Sequence, residues 1–189
     1  MKRIPLLAAL FSIFILCFTQ ALANSPLSDE AITSKVKSKI MQDPLLRNTQ
    51  INVNINTNNQ VVSFSGVVNS ESEASTLVEL AQSTLDVKDV DTSDLKVKDS
   101  KQPLSDTFIT AKVKGEFLRE KLFGDKDISA WTINVETNNG VVYLTGTSES
   151  KTQVENAIKL AKAVSGVKEV KFRVKVARDH IDNFEMTNY

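Results

Sequence analysis

Few side chains in this chain have the type and spacing that covalent chemistry needs. The single histidine, His180, lies in the C-terminal stretch ARDHIDNFEMTNY, with no second histidine to share a metal or a proton. A solvated residue is the expectation there. No H-x-x-x-H pair, metal-spaced carboxylate cluster, phosphate-cradling glycine loop or G-x-S-x-G turn occurs. The acidic run DVKDVDTSD, Asp86 to Asp94, resembles a calcium loop superficially. It lacks the glycine and the terminal glutamate of an EF-hand, so an exposed acidic edge is the better account. No catalytic residue, metal, cofactor or small-molecule substrate is expected, and the chain reads as a non-enzyme.

Non-covalent chemistry is better represented. Residues 26–98 carry 7 basic and 10 acidic side chains, and residues 103–176 carry 12 basic and 9 acidic. The two halves are therefore −3 and +3, and the chain is near neutral only by cancellation. Such a balance gives no nucleic-acid signal. In the basic half Phe108, Lys112 and Arg119 fall on one helical face at about 100° per residue, with Phe123 following if the helix reaches it. The matching places in the acidic half hold Ala31, Lys35 and Gln42. Cations beside exposed aromatic rings suit an anionic phospholipid surface. The alternative is that Phe108 packs on the first half and the charges are solvated. Lys168, Lys171, Arg173 and Lys175 either extend this basic surface or protect an edge strand from aggregation.

The elements that position these groups come in two copies. NTNNQVVSFSGVVNS, from Asn56, returns as ETNNGVVYLTGTSES, from Glu136, and PLSDEAITSKVKSKI, from Pro26, returns as PLSDTFITAKVKGEF, from Pro103. Each opening supplies a serine N-cap followed by an acid in the first turn. Ile32, Val36 and Ile40 recur as Ile109, Val113 and Phe117, the i, i+4, i+8 spacing of a buried helical stripe. The second copy's helix is expected to reach Phe123 with Gly124 as C′, while Asp43-Pro44 stops the first sooner. Alternating strands follow: Ile51, Val53 and Ile55 in one copy, Trp131, Ile133 and Val135 in the other. Asn139-Gly140 is a strong hairpin turn, and Asn59-Gln60 is expected to be looser. The returning strands bury Val62 and Phe64, or Val142 and Leu144. Gly66 and Gly146 then sit where a Cβ is unwelcome.

Ser70 with Glu73, and Ser150 with Gln153, are capping boxes that open a second helix in each copy. Gly166 ends the second of these, with Asp86 in the equivalent place of the first copy, whose third strand is expected to be bulged. The fold class is thus α+β: two tandem small αββαβ units, each a three-stranded mixed sheet with two helices on one face. The units span 26–98 and 103–176, joined by a linker at 99–102 and followed by a tail at 177–189.

Residues 1–23 have a basic start, an uncharged apolar run and Ala21-Leu22-Ala23, the layout of a cleavable signal peptide. An uncleaved anchor is the competing reading. Cys17, the only cysteine, follows Leu16 rather than a small residue, so a lipoprotein anchor is not expected. Cleavage leaves a chain without thiols.

The motif Val142-x-Leu144-x-Gly146, with Ala157-x-x-Leu160-Ala161-x-x-Val164-x-Gly166-Val167-x-x-Val170 after it, resembles the BON domain. The resemblance covers Pro26 to Val176 and is stronger in the second copy. It implies a non-catalytic periplasmic protein of envelope stress and integrity. The partners it implies are anionic phospholipid or, alternatively, unfolded envelope proteins served by a chaperone-like adaptor.

Overall fold

The structure, a computed structural model, describes residues 25–47, 52–100, 103–128 and 132–176. The signal peptide with Cys17, and Ile51, Trp131 and His180, lie outside the described residues. The first unit runs α1 (Asp29–Gln42), β1 (Asn52–Asn58), β2 (Val61–Val68), α2 (Glu71–Gln82) and β3 (Asp89–Val97). The second runs α3 (Ser105–Phe123), β4 (Ile133–Asn138), β5 (Val141–Ser148), α4 (Lys151–Ala163) and β6 (Glu169–Val176). The hairpin makes the first two strands of each unit antiparallel, and the helical crossover makes the third parallel to the second. The second strand is central in each sheet.

Alternation decides which face of the sheet is covered. Val62, Phe64 and Val90 point into the first core with Ile32, Val36, Leu77 and Val78 from its helices. Val142, Leu144, Val170 and Phe172 meet Val113, Phe117, Ala157 and Ala161 in the second. Both helices of a unit therefore lie on one face of its sheet. The bulge expected near β3 is present: the register with β2 shifts between Ser63 and Ser65.

Three local expectations are corrected. The Asn59-Gln60 turn is not looser than Asn139-Gly140. Both first residues are left-handed (φ 52° and 53°), and Gln60 follows at φ 65° where Gly140 has 81°. The cause is the acid of each PLSD opening. Asp29 accepts the Asn59 and Gln60 N–H groups at 2.8 and 2.9 Å, and Asp106 accepts those of Asn139 and Gly140 at 2.7 and 2.9 Å. Two charge-assisted bonds offset the roughly 1–2 kcal/mol that a left-handed glutamine costs. Second, Ser28 caps α1 through its side chain, but α3 already includes Ser105, and Leu104 at its N-cap makes no side-chain cap bond. Third, Gly124 is the C-cap of α3 in an extended conformation (φ −87°, ψ 175°), not a left-handed C′ residue. Asp86 takes φ 65° where Gly166 takes 91°, and its carboxylate accepts the Leu27 N–H at 2.9 Å, so both copies make this turn.

Candidate functional site

Helix α3 has two working faces. Ile109, Val113 and Phe117 enter the core of its own unit. Phe108, Ala111, Lys112, Gly115, Glu116 and Arg119 form a second stripe, at i, i+3, i+4, i+7, i+8 and i+11, against the first unit. Phe108 and Ala111 belong to the first unit's core cluster. Lys112 Nζ pairs with Asp89 in β3 at 2.8 Å, and Gln82 Nε2 in α2 donates to Glu116 at 3.1 Å. Arg119 donates to the Val87 carbonyl and to Glu116. Gly115 lets the helices touch: a Cβ there would lie 2.7 Å from both Gln82 Cβ and the Glu79 carbonyl oxygen.

The expected lipid-facing set is therefore divided. Phe108 and Lys112 are only 8% and 7% exposed, inside the contact between units, and the Arg119 guanidinium is held at its edge. The open face expected at these positions is corrected by this packing, and Phe108 rests on the first unit. Phe123 alone of the four stands well exposed. It lines, with Leu85 and Arg119, a cleft of about 490 Å³ between the units.

The contact leaves an electrostatic mark on α2. Burial pushes the Glu79 carboxyl above its ordinary value, Lys114 opposes this, and Asp43 adds to it. A raised carboxyl means that the folded state loses stability as pH rises through the raised value. Below the ordinary carboxylate pKa of 4.5 no such cost remains. Glu79→Gln is accordingly expected to raise the Tm at pH 7 and leave it unchanged at pH 4. An equal shift at both pH values would assign the effect to packing instead.

One of the two sheet edges of the second unit is β6. Lys171, Arg173 and Lys175 point to the outer face of the sheet, in register with Tyr143, Thr145 and Thr147 of β5. Lys168 is engaged at the hairpin, donating to the Asn139 carbonyl at 3.1 Å. On the opposite side of β6 a groove of about 310 Å³ separates that strand from α4, floored by Val154, Ile158, Phe172 and Val174 and rimmed by Lys151, Lys159 and Lys162. Reading one copy at a time misses this groove. Its signal is the charge reversal between matched positions of the repeat, Glu71 and Glu79 in α2 against Lys151 and Lys159 in α4.

Among the described residues no three His, Cys, Asp or Glu side chains are grouped to hold a metal ion, and no helix is long and apolar enough to cross a membrane.

Comparison with known proteins agrees with the repeat. The chain is 36% identical over 150 residues to Osmotically-inducible protein Y of Escherichia coli strain K12, covering 77% of this chain and 71% of that protein. A solved structure, the C-terminal domain of CdsD from the type III secretion system of Chlamydia trachomatis, aligns with 88% of this chain and 76% of its own at 15% identity. Its TM-score is 0.31, too low to carry an argument. The sequence profile of the BON domain matches residues 28–99 and again 105–178, one match per αββαβ unit, and the chain belongs to the BON-domain family.

Proposed function

We propose that this chain is a non-enzymatic periplasmic protein of the osmotic stress response whose second unit rests on anionic phospholipid through the outer face of β6. The relative's osmotic induction and the signal-like N-terminus support the compartment and the setting. One observation carries the contact. With Lys112 and Arg119 of α3 engaged against the first unit, Lys171, Arg173 and Lys175 form an outward row on an edge strand of the +3 unit. Lys171 pairs with Glu169 at 3.9 Å, so Arg173 and Lys175, at about 1 kcal/mol each near an anionic surface, give roughly thirtyfold in partitioning.

The test is co-flotation of residues 24–189 with phosphatidylglycerol vesicles and with zwitterionic ones, at low and moderate salt. Salt-sensitive binding to the anionic vesicles is expected, falling to the zwitterionic level in the Lys171→Glu, Arg173→Glu, Lys175→Glu triple variant. Undiminished binding by the triple variant would remove the β6 row from the reading. If the unaltered chain bound neither vesicle but suppressed aggregation of an unfolded envelope protein, the adaptor reading would replace the lipid one.

A further inference from the structure

We propose that two copies of this chain pair antiparallel through the free edge of β1, joining their first units into one six-stranded sheet. Strand order gives each unit two edges, β1 and β3 in the first, β4 and β6 in the second. Three of the four carry features that keep strands from pairing. β6 bears Lys171, Arg173 and Lys175, and β4 bears the exposed Glu136. β3 is bulged, bears Asp89, Asp91 and Asp94, and has Lys112 of α3 against it. β1, with the sequence NVNINTN, has no charge, no proline and no bulge.

The backbone of β1 is half used. Its two-residue turn closes on the opposed pair Asn58 and Val61. Asn54, Asn56 and Asn58 therefore direct their N–H and C=O groups to β2, and Val53, Ile55 and Thr57 direct theirs outward. Those outward groups bond no described residue. The apolar side chains beside this edge are also incompletely covered. Val53 and Ile55 are only partly buried, whereas their counterparts Ile133 and Val135 are each 5% exposed. Met41 is 74% exposed, and its counterpart Leu118 lines a groove with Phe117 and residues 133–136. That groove in the second unit carries Glu79, Lys114 and Glu136. At β1 Asn56 replaces Glu136, and Lys37 stands in the place of Lys114.

Charge and symmetry select a second copy as the occupant. Centred on Ile55, antiparallel pairing sets Ile55 against Ile55, Val53 against Thr57 and Asn54 against Asn56. An asparagine side chain both donates and accepts, so the exposed face of the strand is complementary to itself. Centred on Arg173, the same operation on β6 would set Arg173 on Arg173 and Lys171 on Lys175, like charge on like. A two-fold contact closes on itself, and the joined sheet ends in two charged, bulged β3 strands, so association stops at the dimer. The pairing leaves β6 free and does not depend on the lipid reading.

Sedimentation equilibrium of residues 24–189 is expected to show a monomer–dimer equilibrium. Hydrogen exchange at the Val53, Ile55 and Thr57 amides is expected to slow as concentration rises. Asn54→Lys with Asn56→Lys, both at exposed positions, places like charges across the axis and is expected to weaken the dimer by at least about tenfold. Asn54→Lys with Asn56→Glu places opposite charges there and is expected to restore it, which a damaged fold would not do. The triple variant of the β6 row is expected to dimerise as the unaltered chain does, and loss of its dimer would move the contact to that strand. A monomer at every concentration would overturn the proposal, as would a dimer indifferent to both β1 variants. Slowed exchange at the three amides only when an unfolded envelope protein is added to a monomeric chain would give the edge to that polypeptide instead.

Discussion

Replacing Gly146 with alanine is expected to cost the second unit about 3–5 kcal/mol, the sum of a strained backbone and an overlap that cannot relax. Gly146 sits in β5 at φ 128°, opposite Ile133 on one side and Val174 on the other. An added Cβ would stand 2.0 Å from the Thr132 carbonyl oxygen. That oxygen is not a side-chain tip able to swing away. It accepts the Thr147 N–H at 3.1 Å, and Thr132 Oγ1 donates back to the Thr147 carbonyl at 2.5 Å, fixing the strands on either side. Relief therefore requires opening the β4–β5 ladder at its end. Urea unfolding followed by far-UV circular dichroism measures the loss. A cost below about 1 kcal/mol would mean that the ladder yields more easily than these bonds imply.

The same glycine illustrates how much was legible in the sequence. Its place in an alternating strand, repeated at Gly66, was enough to mark a forbidden Cβ, because period-two patterning and a glycine in its midst are local signals. Strand and helix assignment followed for the same reason, and the parallel third strand followed from the crossover. The turn at Asn59-Gln60 was misjudged because its stability comes from Asp29, 30 residues away, whose carboxylate holds both turn amides. Sequence spacing assigned that acid to the helix terminus alone. The capping of α3 differs from that of α1, with Ser105 inside the helix, yet Asp106 holds the second hairpin as Asp29 holds the first.

The candidate lipid face was legible as a stripe but not as an open one. Spacing places Phe108, Lys112 and Arg119 together, and they are together. Whether such a stripe meets solvent, lipid or protein depends on what lies across from it, and helical periodicity carries no information about that. Gly115, at the centre of the stripe, was the missing clue: a glycine in a long helix forgoes about 1 kcal/mol against alanine and is retained where another backbone comes close. The −3 and +3 charges of the two units then have a structural reading. Part of the asymmetry is consumed internally, by Lys112 on Asp89 and by Lys114 near Glu79. The remainder is spread over the β6 edge, α4 and the C-terminal end of α3.

The second large effect tests this division directly. Phe108→Ala is expected to destabilise the first unit by about 3 kcal/mol, although Phe108 belongs by sequence to the second. The ring is 8% exposed and lies in the cluster with Phe64, Leu77 and Val78, while the second unit's own cluster does not include it. Trp131, the only tryptophan, lies in sequence within the second unit, and its fluorescence is the probe chosen for that unit. In the unaltered chain the tryptophan and circular dichroism transitions in urea are expected to coincide, because the units share a buried contact. In the variant the dichroism change is expected to begin at lower urea, as the first unit unfolds early, while the tryptophan transition moves less. A lipid-inserting role for Phe108 predicts the opposite pattern: near-normal stability and lost flotation on phosphatidylglycerol vesicles. A stability loss below about 1 kcal/mol together with lost flotation would return Phe108 to a membrane surface. A loss near 3 kcal/mol with flotation intact would confine it to the joint between the units and leave the outward row of β6 as the lipid-facing candidate.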